Sequence, residues 1–515
     1  MNQTKSGGAA KTIGLMAVII LLAKFMGLFR ETLVANLYGQ GMESDMLNTA
    51  TQIPLLFFDM VLGVAILSTF VPIFNKYLNE EGEGAAMRFA DNFITVAGSA
   101  AMVLAILGVL FAKPLVALMT PGYAAVPGKV EQTAQLMQIL FPSIVFTAVA
   151  YISVGILQSY GEFTIPSLIS VVSNGVMILY LLFFGDRLGL VGIVSSMLVA
   201  WALQLVIQLP YLKKFGYRYH FRFDLKDQGI REAGKLAVPV LISSWIQPLC
   251  NVINMAFGSG LGDGAVSALN WANKIYIIMV GVFAYAITNF IFPKLSRLSS
   301  REEDEGFIQI TRLSVGWILF LITLVCGLFL ALATPIIQVV FERGAFTQSD
   351  TALCATALFY YSFGMIGYGI CEVLNKSFYA IRDGRTPMIG SAIGIVVNLV
   401  SAFLLTRVLG VGGLALAAAL SSLSIALWLM LKMNQRRPGM FDRSFAGNLC
   451  KILLCGVGAF LIAKTVYPLT QPLAGGMIMT LIRLCLAAVP AGIVYLGLAA
   501  LLRVPQMRTI LRKKG

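Results

Sequence analysis

Three charges stand inside the first apolar run of the chain: Lys24, Arg30 and Glu31, in LLAKFMGLFRETLV at 21–34. Another base, Lys274, sits in LNWANKIYII beside Asn270 and Asn273, and Asp45 and Asp59 punctuate the apolar stretch 45–75. A charge in hydrocarbon costs at least about 2.5–3.5 kcal/mol on insertion scales, so each must face a polar cavity or a partner. Bases that outnumber acids in such places suit an anionic ligand, held by charge and hydrogen bonds. Acids among them supply ion-pair partners or proton sites. The candidate binding set is therefore Lys24, Arg30, Glu31, Asp45, Asp59, Asn273 and Lys274. A purely structural alternative pairs Lys24 with Asp59, and Arg30 with Glu31 or Asp45, only to hold helices together. Glu372 and Lys376, four apart on one helix face, are expected to pair with each other. Asn174 and Asn398 are expected to bridge helices.

Catalysis and metal binding have little to work with. The chain holds one histidine, His220, in a basic loop, and its seven cysteines are scattered with no CxxC pair. No catalytic residue and no metal site are expected, and the cysteines read as small hydrophobes.

The elements that must position these charges are membrane spans. Of 515 residues, 58% are hydrophobic and only 12% charged, against about a quarter charged in soluble domains. Mean hydropathy is +0.84. Uncharged runs at 93–112, 163–185, 188–212, 313–341, 351–371 and 408–431 each reach the roughly 20 residues that cross a bilayer as helix. Lipid satisfies no free backbone group, and none of the runs alternates as barrel strands would. The sequence thus predicts an all-α polytopic membrane protein with about 14 transmembrane helices, from 12–38 through 45–75 and 236–258 to 476–502. Both ends then lie on one side. Most Lys and Arg fall on that side, leaving Lys129, Arg187, Arg343, Arg407 and Lys464 on the other, which orients both termini to the cytoplasm. The net charge of +14 is explained by those loops without nucleic acid. The lead MNQTKSGGAAK reads as an uncleaved tail.

An internal repeat divides the chain. Pro72 and Pro293, Pro114 and Pro335, and Pro166 and Pro387 all stand 221 residues apart, as do Gly39 and Gly260, and Gly41 and Gly262. Six spans per copy keep both copies in one orientation, a parallel duplication. The expected organisation is an N-lobe at 1–212 and a cytoplasmic amphipathic linker at 213–235, rich in charge and aromatics. A C-lobe at 236–432, two further spans at 445–502 and a basic tail at 503–515 follow. Two facing six-helix lobes imply a central cavity and alternating access. Lys24, about twelve residues or roughly 18 Å into its span, falls near the midplane.

AKFMGLFRETLVANLYGQGMESD, then QIP and FVPIF, then WANKI with FPKLS, and FYAIRDGRTP resemble the MurJ (MviN) family of lipid II flippases. That family belongs to the superfamily of multidrug-and-toxin exporters and O-antigen flippases. The resemblance covers essentially the whole chain. It implies fourteen helices, a cationic central cavity, and movement of the undecaprenyl-diphosphate-linked peptidoglycan precursor from inner to outer leaflet of the bacterial cytoplasmic membrane, for cell-wall synthesis and cell shape. It implies a lipid-tail groove in the last two spans and a transporter rather than an enzyme. By position, Arg30 matches an essential first-helix arginine and Asp45 a second-helix aspartate. Lys24 and Lys274 stand where the family carries arginines, keeping charge without the bidentate fork. Phe58 falls on a family arginine and Gly63 on a family glutamate. The acid of a family sodium site is absent from 237–257.

On this reading Lys24, Arg30 and Lys274 hold the substrate diphosphate. No Walker-type loop occurs, so membrane potential or an ion gradient rather than ATP is the expected drive, and no cofactor is expected. Expected partners are the lipid-linked anionic glycan, the membrane and proteins of cell-wall synthesis. Alternatives are a flippase for another polyprenyl-linked glycan and a cation-coupled multidrug exporter. An exporter of cations would favour an acidic cavity, and a membrane glycosyltransferase would need larger outer loops.

Overall fold

A computed structural model describes residues 3–185, 187–244, 246–301, 303–470 and 475–512; the extreme ends of the lead and of the basic tail lie outside these. Among the described residues there is no strand. Ten helices are long and apolar enough to cross a membrane, or eleven if the pair Gln348–Ser362 and Gly364–Ala380, bent by 48°, forms one span. The other three expected spans, 12–38, 45–75 and 236–258, are helical as well, the last on both sides of residue 245. A total of fourteen is consistent with this fold.

The chain divides into two compact units, Met1–Val266 and Ser267–Gly515. In the first, helix Gln3–Tyr38 lies along Thr164–Phe184, Met42–Phe58 packs on Lys129–Leu140, and Glu83–Leu110 packs on Ser143–Ser159. Small residues set these distances: a Cβ on Gly108 would stand 2.1 Å from the Phe141 ring, and one on Gly155 would stand 2.8 Å from Phe70. Close packing of rings on glycine backbone of this kind supplies van der Waals contact in place of the hydrophobic drive that lipid cannot supply. Phe70 stacks with Phe74, Phe89 and Phe93 at centroid distances of 5.1–5.7 Å. The linker helix Gln228–Ser244 packs on Val64–Glu80 within this same unit.

The second span is not one regular helix. Met42–Phe58 passes into a π-helical segment, Asp59–Gly63, and resumes as Val64–Glu80. A π turn inserts an extra residue per turn and so shifts the register of every side chain beyond it.

In the second unit, Arg385–Leu409 and Val411–Arg436 form a hairpin, and the last two spans, Arg443–Leu469 and Met477–Leu501, pack on each other and on Asp304–Phe341. Gly456 brings the backbones together there, because a Cβ on it would lie 2.4 Å from the Thr323 side chain. The Tyr495 hydroxyl donates to the Phe320 carbonyl at 2.6 Å. The outer faces of the pair, with Leu454, Leu461, Ile478 and Ile493, are exposed, as surfaces facing lipid must be.

The repeat is visible in the backbone. Before Pro114 the helix breaks at Phe111 (φ −100°, ψ 17°), and before Pro335 it kinks at Leu332 (φ −121°, ψ 20°). Each break is three residues before a proline, whose ring clashes with the carbonyl four residues back and whose nitrogen has no hydrogen to give.

Candidate substrate-binding residues

Helix Gln3–Tyr38 carries Lys24 half-buried, and Gly27, one turn on, faces Asn174. Arg30 lies against the partner helix Thr164–Phe184. Its Nη1 donates to Asn174 Oδ1 at 3.0 Å, and its Nη2 pairs with Glu31 Oε1 at 2.5 Å. Asn174 in turn donates to the Ala23 and Ser170 carbonyls, so it bridges two helices as its position suggested. Arg30 thus pairs with Glu31 rather than Asp45. Its side chain keeps 24% of its surface open, and its buried Nε meets no acceptor among the described residues. The guanidinium therefore has donor capacity left over after clamping the helix pair.

Asp45 is fully buried at the start of Met42–Phe58, beside the loop 260–264. Its Oδ2 accepts from Lys129 Nζ at 3.3 Å and from the Gly264 N–H at 2.9 Å. Lys129, only 1% exposed, reaches on to Asp263 Oδ1 at 2.6 Å. The Tyr123 ring roofs the ammonium at 4.2 Å, while its hydroxyl meets Thr49 at 2.8 Å and the Asp45 carbonyl at 3.2 Å. Lys129 thus stands between the buried Asp45 carboxylate, which also accepts a backbone N–H, and the half-exposed Asp263 carboxylate, and a buried ammonium needs such partners to offset its desolvation. Sequence reasoning placed Lys129 among the loop bases and did not connect it to Asp45. A signal was present: a lysine in the first turn of a helix opposes the helix dipole and calls for an acid nearby.

Asp59 opens the π segment, half-buried. Phe58 beside it is buried edge-on against Tyr151 at 5.5 Å. A Cβ on Gly63 would come within 3.0 Å of Asp59 Oδ1 and 3.1 Å of the Phe58 ring. A side chain at 63 would therefore press on the Asp59 and Phe58 side chains, which would have to shift slightly.

In the second unit Lys274 and Asn273 are half-buried on helix Ala265–Ser300, while Trp271, Ala272, Ile275 and Tyr276 around them are buried. Trp271 stacks on Phe341 at 5.4 Å and Tyr276 on Tyr361 at 5.6 Å, which fixes the helix rotation that presents Lys274. Glu372 and Lys376, expected to pair, make no direct ion pair among the described residues, although their charges interact; the Lys376 ammonium lies over the Phe292 ring at 5.5 Å. The bases near span ends behave as surface groups, Lys113 with Glu131 at 2.6 Å and Arg312 with Asp442 at 2.7 Å. No cluster of three or more His, Cys, Asp or Glu that would hold a metal occurs among the described residues.

A profile described as "Lipid II flippase MurJ" matches residues 34–483. The chain belongs to the MurJ family. A curated relative from Rhizobium tropici, named "Probable lipid II flippase MurJ", is 29% identical over 439 residues, covering 84% of this chain and 82% of its own length. A solved structure titled "Lipid II flippase MurJ, inward closed conformation" shares the fold with a TM-score of 0.80 at 24% identity, covering 95% of this chain and 98% of its own. A solved structure titled "Inward-facing conformation of a multidrug resistance MATE family transporter of the MOP superfamily" shares the fold with a TM-score of 0.65 at 13% identity, over 83% of this chain and 99% of its own. A MurJ chain of this composition is a multi-pass membrane protein and a transporter. Phe58 and Gly63, where the resemblance implies a charge, both lie beside Asp59.

Proposed function

We propose that this protein is a flippase that carries lipid II from the inner to the outer leaflet of the bacterial cytoplasmic membrane, with both termini in the cytoplasm. The family match over 34–483 carries the reading. Half-buried bases on apolar helices support it, since two or more negative charges on a diphosphate offset the cost of burying cations. Lys24, Arg30 and Lys274 are the bases we assign to the diphosphate. Glu31 orients Arg30, Asn273 adds a polar neighbour to Lys274, and Asp59 is a proton site. Asp45 serves by fixing Lys129 and the 260–264 loop. No cofactor is required: with the cell interior negative, moving an anion outward is downhill by about 2.3 kcal/mol per charge per 100 mV. A different polyprenyl-diphosphate glycan is the second reading, favoured by the uncharged residues Phe58 and Gly63 beside Asp59. Cell-wall synthesis proteins are the partners this cargo implies.

The test is depletion in a strain with no second flippase, with lipid II in the outer leaflet as readout, and rescue by wild type, Lys24→Ala and Lys274→Ala. Wild type should restore outer-leaflet lipid II, and each alanine variant should lower it at least tenfold. Unchanged outer-leaflet lipid II on depletion would sink the transport reading. Full rescue by both variants would remove only the residue assignment.

A further inference from the structure

Helix Glu83–Leu110 is polar at its start, with Arg88, Asp91 and Asn92, and uncharged from Phe93 onward. The membrane boundary therefore crosses it near residue 92. The linker is fastened at that level. Tyr217 donates from its hydroxyl to Asp91 Oδ1 at 2.8 Å, and the His220 N–H donates to the same oxygen at 3.2 Å. Asn92 and Asp224 exchange two bonds of 2.8 Å, one from each N–H group to the other's oxygen. The Tyr219 hydroxyl meets Thr95 at 2.9 Å. Residues 217–224 have no helical structure; they are an irregular segment stapled to the third and fourth turns of a spanning helix.

What this segment leaves outside is unusual for a surface facing water. Tyr219, Phe221, Phe223 and Leu225 alternate along it, all exposed, Phe221 at 78%. Single exposed apolar residues are ordinary, but four held side by side on a fastened backbone mark a contact surface. Five bases, Lys213, Lys214, Arg218, Arg222 and Lys226, accompany them, with one acid, Asp224, over the same stretch. The acid is already engaged: its Oδ1 accepts the Lys226 N–H at 2.8 Å. Aromatic side chains settle at the headgroup level of a bilayer, and bases near an anionic leaflet gain from its potential. The staple to Glu83–Leu110 puts both groups at that level with no further motion.

We propose that residues 217–226 are a docking segment for anionic phospholipid, with Tyr219, Phe221, Phe223 and Leu225 in the interfacial layer and Arg218, Arg222 and Lys226 on headgroup phosphates. The segment holds the linker to the membrane surface. This assignment is independent of the cargo, so its failure would leave the flippase reading in place.

The experiment uses the full chain, its seven cysteines replaced, with a nitroxide on Phe221→Cys. It is reconstituted in vesicles of phosphatidylcholine alone, or with a third replaced by phosphatidylglycerol. In the anionic vesicles the label should be more accessible to oxygen than to an aqueous nickel chelate, and its spectrum should be dominated by an immobilised component. Arg218→Gln and Arg222→Gln should each lower the docked-to-free ratio about fivefold, as should neutral vesicles in greater measure. Lys226→Gln, which leaves the Asn92–Asp224 exchange untouched, should act in the same direction and guards against loss of fold. A label in water in both vesicle types, as for a face kept for a soluble protein, would overturn the proposal. So would equal docking in neutral and anionic vesicles.

Discussion

Gly161 and Arg382 occupy the same register of the two repeat copies, 221 residues apart, and both take left-handed backbone, φ 80° and 58°. The next residue in each copy caps the following helix: Glu162 accepts the Thr164 and Ile165 N–H groups, and Asp383 those of Arg385 and Thr386. Gly189 and Gly410 repeat the pattern, both at φ 54°. The backbone of the duplication has thus been kept while the side chains on it have diverged. Lys129 corresponds to Asp350, yet Lys129 is buried between two carboxylates, whereas Asp350 is a surface residue that caps its own helix by accepting the Thr347 N–H at 2.8 Å. Asp91 corresponds to Arg312. Asp91 fastens an aromatic linker, and Arg312 fastens Asp442 in the short connection after Val411–Arg436. Breaks and turns are set by prolines, glycines and caps that work locally. Charges answer to what surrounds them, so they differ between copies.

Removing charge at register-equivalent positions should split the two halves most widely. Lys129→Met leaves Asp45 buried without its ammonium, and the cost should be about 3–5 kcal/mol. Asp350→Ala removes only a surface cap and should cost about 1 kcal/mol. Thermal midpoints of the two purified variants in detergent measure the difference, and equal losses would erase the contrast. Backbone changes should instead affect both halves alike. Gly189→Ala and Gly410→Ala meet no atom within 4 Å, so each should cost only the strain of an alanine at positive φ, about 1–3 kcal/mol. A large inequality between them would show that the copies differ in backbone as well as charge.

The smallest expected effect is in acid. Burial pushes the Asp383 carboxyl up, but the Thr386 hydroxyl, the Thr386 N–H, Arg436 and the Arg385 N–H outweigh it, and the group sits below its ordinary value. A carboxyl whose pKa is depressed by folding contributes stability that is present above its unfolded value and lost as pH falls through the folded one. Midpoints measured downward from pH 5 should therefore drop less for Asp383→Asn than for wild type. Parallel curves would mean that this cap carries no charge-dependent stability.

Membrane class, helical content and the duplication were legible in the sequence, because lipid imposes length and composition on every span and prolines repeat at one spacing. The candidate bases were legible as well, since a charge in an apolar run stands out wherever it points. Their partners were not. Arg30 could pair with Glu31 or Asp45 by spacing, and helix rotation against Thr164–Phe184 brought it to Asn174 and Glu31. Glu372 and Lys376 had the right spacing to pair, and their charges do interact, yet the ammonium lies over the Phe292 ring rather than against the carboxylate. Lys129 looked like a loop base until the loop 260–264 brought Asp263 and the Gly264 N–H to Asp45. Composition and local backbone chemistry act within a few residues, so the chain alone determined where helices run, break and cap. Which charge meets which depends on the rotation and approach of helices more than a hundred residues apart, and packing alone decided that.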